Sequence, residues 1–174
     1  MNFSLSHSLE ILERTPNVLF AMLENVSDEW TLNNEGPDTW SVYDIIGHLI
    51  HGEKTDWVAR MEIILSNEGD KRFEPFNRFA QFEESKGLSL SALLDEFKRL
   101  RQNNIRILLS KQLTNEHLQQ TGIHPAFGEV TLSQLLATWV VHDLNHIAQI
   151  SRVMAKQYKA EIGPWIEYVK MLRD

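Results

Sequence analysis

No cysteine occurs among the 174 residues. Disulfides, thiolate metal ligands and a cysteine nucleophile are therefore excluded together. Any bound metal must rest on imidazole, carboxylate or amide groups, and any thiol chemistry needs a thiol from outside. No apolar run approaches the ~20 residues that a membrane-spanning helix requires, so no membrane partner is expected. Basic residues are outnumbered, 17 Lys and Arg against 24 Asp and Glu, and they are scattered. That excludes a basic stripe tracking a phosphate backbone, and with it nucleic acid as a partner. The opening stretch MNFSLSHSLEILERTPN has neither the charged n-region nor the apolar h-region of a secretory signal. The expectation is a soluble, cytoplasmic protein. Internal repeats, low-complexity tracts, linkers and convincing period-two alternation are also missing.

What remains suits one domain over residues 1–174. A hydrophobic content of 43% and a charged content of 24% are ordinary for a globular chain of this size. Four long segments carry helical periodicity. The first runs from about Ser4 to Val26, interrupted at Thr15-Pro16. There Pro16 either opens a new helix behind a Thr15 cap or kinks a longer one. The second runs from about Val42 to Asn67. Ser41 and Asp44 form a capping box at its start, and Trp40 and Ile45 a hydrophobic staple. Residues 68–87 are polar and aromatic without a clean period, which predicts a long connection packed by its phenylalanines. The third helix is expected from about Leu90 to Lys111 after a Ser89 cap. Thr114 then caps a short turn, and His124 to Gly128 form a bend. The fourth helix is expected from about Leu132 to Gln157, with Thr131 and Gln134 as a second capping box. Gly163-Pro164 breaks the chain before a short docked helix. The fold class is all-α, a four-helix bundle, in which sites are built from side chains on facing helices.

The fourth helix presents Leu135, Trp139, His142, His146, Ile150 and Val153 at steps of 4, 3, 4, 4 and 3, the period of a buried face. His142 and His146 thus stand one turn apart on an otherwise apolar stripe. Either each imidazole has its own polar partner in the core, or both bind one ion, as in the H-E-x-x-H helix of metalloproteases. The glutamate of that motif is replaced here by Asp-Leu-Asn, which disfavours a protease. On the second helix one face carries Ile45, His48, Gly52, Thr55 and Ala59. The small residues there leave either a gap beside His48 or, at Gly52, a close helix contact. His51 is rotated about 60° from His48 and reads as a rim or supporting residue. His7, His117 and His124 show no chelating spacing, and His124 is expected to be exposed. Asp44 reads as a capping residue, and Glu53 and Asp56 read as exposed helix surface before residues that reach the mouth of the site. Asp143 points about 100° away from His142, toward a neighbouring helix or solvent. Trp139 reads as core. Trp57 and the phenylalanines from Phe73 to Phe82 are either core or the lining of a substrate pocket.

The combination W-S-V-x-x-x-x-x-H-L at Trp40 to Leu49 and H-x-x-x-H-x-x-Q-I at His142 to Ile150 resembles the DinB-like superfamily. That family includes bacillithiol-transferase-like proteins of the YfiT type and is distinct from the DNA polymerase of similar name. P-x-F-G-x-V-T-L at Pro125 to Leu132 and G-P-W at Gly163 to Trp165 extend the likeness along nearly the whole chain. The resemblance implies a four-helix bundle with a long connection between helices two and three and a short C-terminal helix. It also implies a divalent metal held by His48, His142 and His146, and a homodimer. Characterised relatives resemble thiol S-transferases and a thiol-dependent maleylpyruvate isomerase, so a small-molecule substrate and a low-molecular-weight thiol as co-substrate are expected. Imidazole nitrogen suits zinc or nickel first, with iron and copper also accommodated. Three neutral imidazoles leave positions on the ion open, as in catalytic rather than structural sites. A metal-dependent transferase, a metal-dependent hydrolase and a non-catalytic metal-binding, stress-associated protein all fit these residues, and no general base is evident.

Overall fold

A computed structural model describes residues 2–67 and 69–173. Glu68, where the aromatic connection was expected to begin, lies outside the described residues. The first segment is two helices, α1 (Leu5–Leu12) and α2 (Thr15–Leu23), with Pro16 in the first turn of α2. Pro16 therefore starts a new helix, where its fixed φ and missing N–H cost nothing. Thr15 is not the cap. Arg14 takes that position without a side-chain bond, and the Thr15 hydroxyl instead donates to the Ile11 carbonyl at 3.1 Å, stitching α1 to α2.

A four-residue turn, α3 (Asp28–Thr31), precedes the second segment. That segment forms α4 (Val42–Thr55) and α5 (Trp57–Leu65), broken at Asp56 with φ −109° and ψ −71°. A single helix to Asn67 was expected. Neither proline nor glycine marks the break, so periodicity ran through it. α7 (Leu90–Ser110) and α9 (Leu132–Lys156) match their expected spans, and α8 (Asn115–Gln119) is the turn behind Thr114. The caps at Ser41, Ser89, Thr114 and Thr131 all form, with reciprocal capping boxes at Ser41–Asp44 and Thr131–Gln134.

α1 and α2, the α4–α5 pair, α7 and α9 make the bundle, α4 packing on α7 and α9 reaching α1, α4 and α5. One departure from an all-helical chain is an antiparallel hairpin, β1 (Thr121–His124) with β2 (Gly128–Thr131), where a bend was expected. Four residues per strand are too few for alternation to register, and Gly128 closes the turn at φ +72°. The Phe73 amide donates to the Ile123 carbonyl (2.9 Å) and the Ile123 amide to the Lys71 carbonyl (2.8 Å). The aromatic connection is thereby pinned to the hairpin and Phe73 is buried. Further along, that connection forms the short helix α6 (Ala80–Glu84). The C-terminal helix is replaced by two 3₁₀ segments, Gly163–Tyr168 and Lys170–Leu172, docked through buried Leu172.

The buried apolar side chains fall into two clusters. One holds Leu12, Trp57, Met61, Leu108, Leu135 and Trp139, and the other Leu19, Ile46, Leu49, Leu94, Phe97 and Ile150. Along α4, α7 and α9 the change from one to the other falls at polar residues: Glu53, then Arg101 and Asn104, then His142, Asp143 and His146. A polar layer therefore crosses the middle of the bundle.

Candidate metal centre

Three imidazoles meet on one side of this layer. His48 comes from α4, and His142 and His146 come from successive turns of α9. Their phases are set by the capping boxes that start both helices. His142 Nε2 lies 3.0 Å from His48 Nε2 and 3.1 Å from His146 Nε2. One ring nitrogen of each lies within 4.8 Å of the others. His48 and His146 are buried and His142 is half-buried. Aromatic rings hold them in place, with Trp40 4.9 Å from the His48 ring and Trp57 edge-on to His142 at 5.0 Å. His146 Nδ1 is bonded to Gln149 Oε1 at 2.8 Å, which sets its rotation.

Burial pushes the His48 imidazole down to about 3 and His142 to about 2, with the neighbouring imidazoles adding to the effect. Burial also lowers His146, against the opposing pull of the Gln149 bond. All three rings are neutral at physiological pH, the form that ligates metal. Hydrogen bonding among the rings alone does not account for the cluster. His142 Nε2 faces two other Nε2 atoms, and among the described residues the buried Nδ1 atoms of His48 and His142 have no hydrogen-bond partner. A cation accepts all three lone pairs at once. Its nitrogen–nitrogen separations in a tetrahedral site with ~2.1 Å bonds would be about 3.4 Å, close to the spacing found. The donor set fits a divalent ion.

The other candidate residues divide. His51 is turned away and bonds Glu84 at 2.9 Å. Asp44 caps α4 as expected. Thr55, at the end of α4, and Ala59, beyond the break at Asp56, are exposed. Glu53 and Asp56 are not surface residues. Glu53 is 3% exposed. Asp56 lies under the α4–α5 break beside Arg60, and burial raises its carboxyl while that arginine opposes the shift. His124 is half-buried in the hairpin turn rather than exposed.

Sequence reading missed Arg101. Its guanidinium grips Asp143 bidentately at 2.6 and 2.9 Å, Glu53 at 2.8 and 3.1 Å, and the Leu12 carbonyl at 2.9 Å. Glu53 also accepts from Asn104 Nδ2 (3.0 Å) and Trp139 Nε1 (2.9 Å). Asp143 thus serves a neighbouring helix and Trp139 is core, both as read. The signal available was an arginine and an asparagine, three residues apart, within the apolar stripe of the third helix.

The histidines open onto a cavity of about 960 Å³. Its apolar walls include Trp40, Trp57, Phe73 and Phe76, and its polar ones Asp56, Arg60, His124 and Gln149. Gly52 lines it too, where a Cβ would stand 3.4 Å from Trp57 Nε1. The gap beside His48 is real. Phe79 and Phe82 stay outside it, largely exposed.

The family model of the DinB superfamily matches residues 11–150. The chain belongs to the DinB superfamily. Among solved structures this superfamily member is similar to YfiT from Bacillus subtilis, described as a probable metal-dependent hydrolase with an unusual four-helix bundle topology. The TM-score is 0.74 at 20% identity, over 92% of this chain and 90% of that one. At that identity the likeness establishes the shared bundle topology. No curated protein matches. Among the described residues, no helix is long and apolar enough to cross a membrane.

Proposed function

We propose that His48, His142 and His146 hold one divalent ion, zinc or nickel ahead of iron or copper. On this reading the chain is a transferase that joins a low-molecular-weight thiol to an electrophilic small molecule. The observation that carries it is the convergence of three neutral imidazole nitrogens on the wall of a cavity of about 960 Å³. That volume lies at the upper end for small-molecule sites and has room for two reactants. A bound ion of this kind lowers the pKa of a coordinated thiol or water and presents the anion at neutral pH. The protein's own contributions are separable. The uncharged ligands leave the ion's positive charge for an anionic partner. Gln149 holds the His146 tautomer. Trp40, Trp57 and Phe76 keep water from the reacting groups. With no cysteine in the chain, the thiol comes from solution.

A second reading, hydrolysis by metal-bound water, is favoured by the description of the structurally similar YfiT. Conjugation of a test electrophile with several small thiols, by metal-loaded protein, tests the first reading. Rates equal to those without protein count against it, and thiol-independent turnover of esters or amides selects the second. Metal analysis of wild type beside His142→Ala tests the premise shared by both. Equal metal content in the two proteins would sink it.

A further inference from the structure

Three arginines line the cavity, and they differ in what they have left to offer. Arg152 is committed, its Nε and Nη2 each 2.8 Å from a Glu35 oxygen. Arg78 is exposed on the aromatic connection. Arg60 is 8% exposed, yet among the described residues its side chain has one polar contact, Nε to Asp56 Oδ1 at 2.5 Å. The Phe73 ring lies under its guanidinium, 5.2 Å from centroid to Cζ. Asp56 and Phe73 thus hold the group flat and oriented. Among the described residues Nη1 and Nη2 meet no acceptor, and Arg60 lines the cavity. A buried guanidinium with a free terminal fork is a ready partner for a planar or tetrahedral oxyanion.

His124 supplies a second donor at the same place. Its ring stands perpendicular to Phe73, with centroids 6.3 Å apart. Its Nδ1 accepts from the backbone amides of Ala126 (3.1 Å) and Phe127 (3.3 Å). The ring proton therefore sits on Nε2, as a donor.

We propose that Arg60 and His124 form an anion-binding subsite of the cavity. It takes the carboxylate or phosphate of a small organic substrate whose reactive end lies at His48, His142 and His146. The inference rests on the metal-centre reading for that reactive end, but the subsite itself requires no metal. Arg60 stands on α5, beyond the break at Asp56, and His48 on α4, so the two groups occupy separate positions on the cavity wall. The substrate is accordingly elongated, with an apolar body against Trp57 and Phe76.

Isothermal titration of the full-length protein with 4-phenylbutyrate, its neutral amide and phenyl phosphate tests this. It is run on metal-loaded and chelator-treated samples whose metal content is assayed separately. The acid or the phosphate binds and the amide does not, and chelation leaves that affinity in place. Arg60→Gln abolishes the binding, and Arg60→Lys, which keeps the charge and loses the fork, weakens it on the order of tenfold. Should Arg60→Gln fail to fold by circular dichroism, Arg60→Lys decides. Equal binding of acid and amide, binding of neither anion, or wild-type affinity in the Arg60 variants overturns the proposal. Loss of binding on chelation alone also overturns it, because the anion then sits on the metal. Protein that takes up no metal on loading but still binds the acid through Arg60 refutes the metal-centre reading and leaves the subsite standing.

Discussion

Arg101 and the three histidines occupy the same polar layer of the bundle, but one cluster uses its polar atoms fully and the other does not. Every guanidinium nitrogen of Arg101 is bonded, and both carboxylates it holds are completely shielded from solvent. The rings of Phe97 and Trp139 lie about the guanidinium, at 5.0 and 5.1 Å. Among the described residues, the histidine cluster instead leaves two buried nitrogens without a partner, and it opens onto a cavity. Adjacent residues of α9 feed the two: His142 turns toward the cavity and Asp143, about 100° around the helix, toward Arg101. Glu53 and His48 divide α4 in the same way. A satisfied buried network rigidifies a fold, whereas the three Nε2 atoms that face one another in the histidine cluster leave lone pairs for a ligand. The Arg101 cluster ties α7 to both histidine-bearing helices, so the closed cluster holds the open one in register.

The largest expected effect breaks the closed half. Arg101→Met strands two buried carboxylates and should cost about 3–5 kcal/mol of unfolding free energy by urea denaturation. A loss below about 1 kcal/mol would show that the network carries no more weight than a surface pair.

His142→Ala should do the reverse. Bound metal should fall from one ion per chain to a small fraction of that, read by mass spectrometry, while the metal-free protein keeps its urea midpoint. A large shift in that midpoint would erase the contrast between the clusters.

Acid sharpens the comparison. His48 and His142 have folded values near 3 and 2 against an ordinary value of 6.5. The unfolded chain therefore binds more protons below about pH 6.5, and stability present above that pH is lost as the pH falls toward 3. For each imidazole the slope approaches about 1.4 kcal/mol per pH unit. Metal-free protein should unfold progressively across this window, and His48→Gln should flatten the profile. A pH-independent midpoint between 6.5 and 4 would contradict the burial of neutral rings.

The smallest effect lies on the support of one ligand. Gln149→Ala frees His146 Nδ1 and should weaken metal binding by roughly tenfold, measured by chelator competition, with no loss of stability. An unchanged affinity would mean that the ring is held by packing alone.

Much of this centre could be read from residue spacing. The step of four between His142 and His146 on an apolar stripe, and the capping boxes at Ser41 and Thr131, placed the two rings and the helices that carry them. His48 was joined to them chiefly through the family likeness, since nothing local says which face of α4 meets α9. Glu53 was misread as surface for a related reason. A carboxylate on a helix is solvent-facing by default, and its burial depends on a cation supplied from elsewhere. Arg101 comes from a different helix, 48 residues beyond Glu53. The hairpin escaped notice because four-residue strands are too short to alternate visibly.

Helix periods, caps and histidine spacing are properties of chain segments a few turns long, where neighbours in sequence are neighbours in space. The sequence alone therefore determined four amphipathic helices, the absence of thiol ligands and two imidazoles one turn apart on one face. The third imidazole, the Arg101 network, the cavity and the free fork of Arg60 each depend on residues tens of positions apart. Only the packing of α4, α5, α7, α9 and the hairpin brings those groups within hydrogen-bonding distance, and so only the tertiary structure decided them.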